Sequence, residues 1–421
     1  MSLVPSTLAN GPDQGRPSKY LVPLILVTSL FFLWGFSYGL VDSLNKHFQE
    51  VLHINKAESS LLQVAYFGGY FIMAIPAGTI MKTFGYKRGI ILGLLLYACG
   101  AFLFYPSANL ESFPFFLISL FVIACGLCCL ETAANPYVTV LGSRETSSFR
   151  LNLSQSFNGV GSCLGPFLAS FLFFGGKELK DSAQAGKELS SVKFVYLVIA
   201  LVVLGVAGLF YRTPLPDINE EEQLAAQSQH HSRALFTNRH FVWAMAAQFF
   251  YVAAQVGVAA FFINYVTESN KGYSSKTAAI LLGFSLVLFT IGRFAGTALM
   301  KIIRPQHLLK TYAIINIILC VFVIMDDGLF SVISLMIIFF FESIMFPTIF
   351  ALGVMDLGKH TRRGGSLIIM TIAGGAFIPP IMGWIAQRDT TADAFIIPLV
   401  CFIVVMYFGI DGYRIRDTRV G

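Results

Sequence analysis

The sequence predicts an all-α membrane protein, twelve transmembrane helices in two pseudo-symmetric six-helix bundles. Composition, run length and an internal repeat each point there. Of 421 residues, 56% are apolar and 12% charged, with 41 Phe and a mean hydropathy of +0.70. Soluble domains carry about 25% charged residues. A chain of this length with so little polar surface cannot hide its apolar side chains in one water-surrounded core. The bulk of it must face lipid, which excludes a soluble enzyme, a nucleic-acid-binding module and a disordered scaffold. Continuous apolar runs of about twenty residues match spanning helices. They exclude an outer-membrane barrel, whose strands alternate apolar and polar over about ten residues.

In chain order the runs are 21–41, 60–81, 89–106, 113–137, 150–174, 192–211, 241–266, 277–300, 308–325, 330–353, 365–386 and 394–411. Gly and Pro occur within several, which membrane bundles tolerate because neighbouring helices re-satisfy freed backbone groups. Residues 1–20 read as a polar tail, 21–211 as the first bundle, 212–240 as a linker, 241–411 as the second bundle and 412–421 as a short tail. The linker reading rests on Pro214, Pro216, the acidic run Glu220, Glu221 and Glu222, and the Gln/Ser/His-rich stretch after it. The first apolar run is a full-length span rather than a cleavable leader. With both tails on one side, 19 of the 29 Lys and Arg fall on that side and nine on the other, Arg293 lying within a span. The positive-inside rule then expects both termini in the cytoplasm of a multi-pass cell-membrane protein. The seven cysteines all lie in apolar runs and read as small hydrophobes. Cys125, Cys128 and Cys129 lack the polar flanks and second pair of a metal site. No metal or cofactor is expected, and no partner beyond lipid, a small substrate and protons; the chain is expected to act as a monomer.

The two halves echo each other. Span two ends Ala77-Gly78-Thr79-Ile80-Met81-Lys82, and span eight ends Ala295-Gly296-Thr297-Ala298-Leu299-Met300-Lys301. Glu131, Pro136 and Leu141-Gly142 in span four match Glu342, Pro347 and Leu352-Gly353 in span ten at identical spacing. Gly161 and Pro166 in span five match Gly375 and Pro380 in span eleven. Three matches in one order indicate a duplicated six-span unit. Two such halves about an axis along the membrane normal are the plan of the major facilitator superfamily, with substrate held between them.

An ionised side chain at the membrane centre costs about 2.5–3.5 kcal/mol on insertion scales, so acids there are functional candidates. Asp42, Glu131 and Glu342 lie at or near membrane depth and no histidine does. Proton handling would therefore run through carboxyls, which load and release protons as they alternate between wet and dry settings. Glu131 shares a helix face with Asn135 at i+4. Trp34, Tyr38 and Asp42 recur at i, i+4 and i+8, with Asp42 ending span one; an aromatic and carboxyl stripe suits the C–H face and hydroxyls of a sugar. Gln155, Asn158 and Ser162 share one face of span five, and amides supply both donors and acceptors for a polyhydroxylated ligand. Gln63, Gln255 and Asn264 read equally well as substrate contacts or inter-helix hydrogen bonds. Glu342 reads either as a direct participant or as a relic of the duplication. Arg293, near the inner end of span eight, reads with Lys82, Lys87 and Arg88 as an inner-side gate, or equally as a snorkelling anchor.

Several strings carry a family resemblance. They are Leu30-Phe31-Phe32-Leu33-Trp34, Cys129-Leu130-Glu131-Thr132-Ala133-Ala134-Asn135-Pro136, Arg150-Leu151-Asn152-Leu153, Gln155-Ser156-Phe157-Asn158 and Phe346-Pro347-Thr348-Ile349-Phe350. From about residue 20 to 410 the chain resembles the L-fucose/proton symporter family of the major facilitator superfamily, which also holds glucose/galactose transporters. The resemblance implies that Asp42 and Glu131 are the proton-linked acids and that Gln155 and Asn158 line the sugar site. Two family asparagines ahead of the first-span acid are replaced here by Tyr38 and Gly39, and a tenth-span Tyr by Phe346. Each change removes hydroxyl-binding capacity, so the implied substrate is a monosaccharide, L-fucose or a related hexose. The expectation is a proton-coupled sugar symporter working by alternating access. The alternatives are a uniporter that keeps its carboxyls only as sugar ligands, and a non-transporting sugar sensor. A membrane enzyme is not expected, since the sequence offers no nucleophile–base pair and no metal cluster around Asp42 and Glu131.

Overall fold

The structure, a computed structural model, describes residues 18–52, 54, 61–143, 145–173, 182–215, 234–269, 273–325 and 328–415. Ten helical segments among the described residues are long and apolar enough to cross a membrane. One of them, Leu61–Asn109, has 49 residues, about 74 Å of helix against a hydrocarbon core of about 30 Å. It is spans two and three, reversing at Gly85, whose φ of 81° and ψ of 171° suit a residue without Cβ. Met81 and Gly89 lie against each other across that bend. The remaining span is Ser147–Phe173, 27 residues long, whose first half carries Arg150, Asn152, Gln155 and Asn158 together with several serines. Twelve crossings result.

Several boundaries differ from the sequence reading, each for a local reason. Span one runs Ser18–Val51, ten residues past its predicted end. Asp42 therefore sits within a helix rather than at its terminus, and its side chain lies outside the described residues. Span ten is two pieces, Gly328–Glu342 and Met345–Gly353. Pro347 has no N–H to offer the carbonyl of Ser343, one turn earlier, and the helix breaks there. Span eleven is likewise split, Thr361–Met370 and Gly374–Arg388, the second piece carrying Pro379 and Pro380. Span twelve, Ile396–Tyr407, ends in a π turn at Phe408–Gly412.

Spans one with five, and two and three with four, pack the first half; nine with ten and twelve, and seven with eleven and twelve, pack the second. Apolar side chains cover the outside. Span six alone exposes Phe194, Val198, Leu201, Val202 and Leu209, a surface only lipid can cover. The halves meet through spans two with eleven and five with eight.

Several inter-half contacts lie at one face, where the span two–three bend, the ends of spans six and twelve and the start of the central linker gather. Lys87 Nζ donates to the carbonyls of Tyr211 (3.0 Å) and Thr213 (2.9 Å) at the linker's start. Across the halves on this linker face, the Arg362 guanidinium sits 4.8 Å over the Tyr86 ring and Lys301 Nζ 5.5 Å over Phe149. Asn152 Nδ2 donates to Thr348 Oγ1 at 3.2 Å. Gly78 leaves room for Ser366. The molecule is thus closed at its linker face.

Candidate functional site

Span four carries the central acid. Phe113–Val140 is buried along most of its length, so its polar residues face protein. Glu131 is 7% exposed and accepts a hydrogen bond from Tyr70 Oη at 2.7 Å. Tyr66 and Tyr70, one turn apart on span two, have hydroxyls 3.5 Å apart, and the ring of Tyr38 on span one packs tilted against Tyr66, centroids 5.7 Å apart. A chain of phenols therefore leads from span one to the carboxyl. Tyr66 and Tyr70 went unread in the sequence, although their i, i+4 spacing on an apolar helix was a signal of the same kind as Trp34 and Tyr38.

One turn along from Glu131, Asn135 is fully buried and its Oδ1 accepts from Gln155 Nε2 at 3.3 Å. Gln155 and Asn158 on span five then meet Arg293 of the other half. Arg293 Nη1 donates to the Gln155 carbonyl at 2.7 Å, to Asn158 Oδ1 at 3.0 Å and, more weakly, toward Gln155 Oε1 at 3.4 Å. Its Nε donates to the Ser343 carbonyl at 2.9 Å, the acceptor that Pro347 leaves without a helical partner. The guanidinium rests 4.5 Å from the Phe289 ring. Asn158 Nδ2 reaches the Phe31 carbonyl at 3.3 Å. Gly35 of span one makes that approach possible, because a Cβ there would collide with Asn158.

The structure thus brings Glu131, Asn135, Gln155, Asn158 and Arg293 into one network between the halves, with Glu131 within electrostatic range of Arg293. It separates others. Arg293 is 5% exposed, which removes the snorkelling reading, and it sits with the site amides rather than with Lys82 and Arg88, which are exposed at the linker face. Trp34 is 4% exposed and packed 4.2 Å from Phe31, so its ring is part of the core here rather than an open stacking surface. Tyr38, Gln63 and Gln255 are half-buried and Asn264 is exposed. Glu342 is fully buried and its carboxyl oxygens have no hydrogen-bond partner, so it offers nothing directly to a substrate in this state. Arg150 has a supporting role. Its guanidinium donates to the carbonyls of Val138 (3.1 Å), Thr139 (2.7 Å) and Ser143 (2.8 Å), and to Thr146 Oγ1. It caps the end of span four and so fixes the height of Glu131 and Asn135.

Comparison with known proteins agrees with this architecture. The Major Facilitator Superfamily model matches residues 26–380. The L-fucose-proton symporter of Escherichia coli (strain K12) is 39% identical over 412 residues, covering 94% of each chain. A glucose/galactose transporter of Brucella abortus biovar 1 (strain 9-941) is 36% identical over 403 residues, covering 96% of this chain and 97% of that one. Among solved structures, the transporter FucP in the outward conformation superposes with a TM-score of 0.84 at 38% identity, over 94% of this chain and 99% of that one. With its repeat, its twelve crossings and these relatives, the chain belongs to the L-fucose/proton symporter family of the major facilitator superfamily.

Proposed function

We propose that the chain is a proton-coupled monosaccharide symporter working by alternating access, with L-fucose or a related hexose as substrate. The observation that carries this reading is Glu131. It is a carboxyl buried at mid-membrane, held by Tyr70 and within electrostatic range of Arg293, the residue that ties the two halves together through Gln155 and Asn158. A proton entering at Asp42 or Glu131 neutralises a charge that a dry interior disfavours. Sugar hydroxyls compete for Gln155, Asn135 and Asn158, whose present partners are each other and Arg293. Sugar therefore loosens the contacts that hold the linker face shut, and the halves rock to open it. The relatives named L-fucose-proton symporter and glucose/galactose transporter support both the class of substrate and the coupling ion. The excess of Lys and Arg on the linker side supports a cytoplasmic linker and cytoplasmic termini in a cell membrane. That makes the closed face of the state described here the cytoplasmic one. The transporter works as a monomer with the proton as its only coupling agent.

Glu131→Gln tests the reading in proteoliposomes. Uphill, proton-driven uptake is lost, while exchange of external for internal sugar persists. Undiminished uphill uptake by the variant removes Glu131 from the coupling path. Sugar addition to deenergised cells in weakly buffered medium alkalinises the medium; a constant pH with sugar entering makes the protein a uniporter.

A further inference from the structure

The second half contains a polar centre that the mechanism above does not use. Glu342 is the last residue of the helical piece Gly328–Glu342, immediately before the break in span ten. It is 0% exposed, and both carboxyl oxygens lack a hydrogen-bond partner. The groups facing it come from three other spans: Tyr251 on span seven, Arg293 on span eight and Cys320 on span nine, all within electrostatic range. Tyr251 Oη is buried without a partner, and so is the side-chain amide of Asn316, one turn from Cys320 on span nine. The cation among these groups is committed elsewhere. Arg293 gives its Nε to the carbonyl of Ser343, next to Glu342 in sequence, and its Nη1 to Gln155 and Asn158 of the first half. One guanidinium therefore lies within electrostatic range of two buried carboxyls, Glu131 of the first half and Glu342 of its own half, and donates these hydrogen bonds to neither.

That arrangement depends on the closure of the linker face. Arg293 and Glu342 ride on the same half, whereas Gln155 and Asn158 ride on the other. When the halves part at the linker face, Arg293 loses its first-half acceptors and keeps Glu342, the carboxyl of its own half, within electrostatic range. A buried carboxylate with no bonded partner is strongly disfavoured, and one with an adjacent guanidinium is tolerated.

We propose that Glu342 is a second proton-carrying carboxyl, protonated while the linker face is closed and deprotonated when opening hands it Arg293, so that each cycle moves two protons with one sugar. This rests on the symport reading above. On release the O–H bond of Glu342 breaks, the proton passes to water at the open linker face and the carboxylate pairs with Arg293. Reclosure returns Arg293 to Gln155 and Asn158, and Glu342 recovers a proton taken up from the opposite face. No oxidant or further reactant is involved.

The test is the proton-to-sugar ratio, measured from sugar accumulation at static head in proteoliposomes under imposed potentials. Wild-type protein gives two protons per sugar. Glu342→Gln and Glu342→Met each give one, with sugar exchange retained, and the accumulation ratio at 100 mV falls by about 50-fold per proton lost. The Met variant guards against misfolding, because an apolar side chain of similar size replaces a buried polar one with little loss of packing. A wild-type ratio of one, or variants that stay at two, overturns the role of Glu342 while leaving symport intact. Variants at zero overturn it too, since Glu342 would then be needed for all coupling rather than carrying one proton of two. A wild-type ratio of zero instead removes the symport reading itself.

Discussion

Replacing Arg293 by Leu should open the linker face. The two shorter of the three hydrogen bonds from this guanidinium to the other half go to the Gln155 carbonyl at 2.7 Å and to Asn158 Oδ1 at 3.0 Å. Hydrogen bonds made by a charged partner contribute about 1.5–3 kcal/mol each, so the pair favours the closed state by about 3–6 kcal/mol before any offset. In the open state the guanidinium regains water or a carboxylate, which brings the net effect toward the lower figure. At about 3 kcal/mol the closed-to-open ratio falls by about two orders of magnitude, enough to take a protein that is 99% closed to an even mixture. Spin labels at Arg88 and Arg363, both exposed on the linker face in opposite halves, report this directly by pulsed dipolar distance measurement. Cys99 and Cys163, the cysteines that are not buried, are replaced beforehand. The Leu variant should show a long-distance population comparable to the short one. Arg293→Lys, which keeps a charged donor but not the fork geometry, should fall between it and the wild type. A Leu variant whose distances match the wild type would refute the assignment of Arg293 as the latch.

Three further outcomes follow from the same geometry. Asn158→Ala removes an amide that contacts Arg293 and Phe31 and, under the proposed function, a sugar hydroxyl. Sugar affinity by calorimetry should fall by about 1–3 kcal/mol, or about 5- to 150-fold, and an unchanged affinity would move the sugar site elsewhere. Tyr70→Phe deletes the 2.7 Å hydrogen bond to Glu131 without changing the ring; proton-driven uptake should drop about 10- to 100-fold while sugar exchange continues, and equal loss of both would make Tyr70 merely structural. Arg150→Met strips three carbonyls at the end of span four of their donor, a loss of about 3 kcal/mol or more that should lower the thermal midpoint in detergent relative to Lys82→Met, which alters an exposed residue.

Crossings, the duplicated unit and most of the polar network were legible because their signals are local. An acid or amide in an apolar run stands out whatever it touches, which is why Glu131, Asn135, Gln155 and Asn158 are legible in the sequence alone. What could not be read was partnership. Arg293 looked like an inner-end cation because sequence distance from Lys301 says nothing about which neighbour a long side chain meets. Tyr66 and Tyr70 were missed because aromatic residues are unremarked in a chain with 41 Phe and 16 Tyr, and only the Tyr70 contact with Glu131 separates them from ordinary packing. Asp42 was placed at a helix end because hydropathy falls there, yet the helix continues to Val51. Loss of hydropathy marks where a helix leaves lipid, not where its hydrogen bonding stops.

The repeated proline shows how a duplicated unit comes to serve two purposes. Pro136 and Pro347 occupy matching places, five residues after matching acids, and each removes one N–H from its helix. In the first half the helix runs on through Pro136 to Val140, and the acid before it is held by Tyr70. In the second half the helix breaks before Pro347, Ser343 turns its carbonyl to Arg293, and the acid is left fully buried without a bond. Arg293 itself has no first-half twin, since the place matching it 218 residues earlier is Ile75. A single cation in one half, reaching the carbonyl freed by its own proline and the amides of the other half, turns a symmetric pair of acids into an unequal one. That inequality lets the two carboxyls answer differently to one rocking motion, which strict symmetry would forbid.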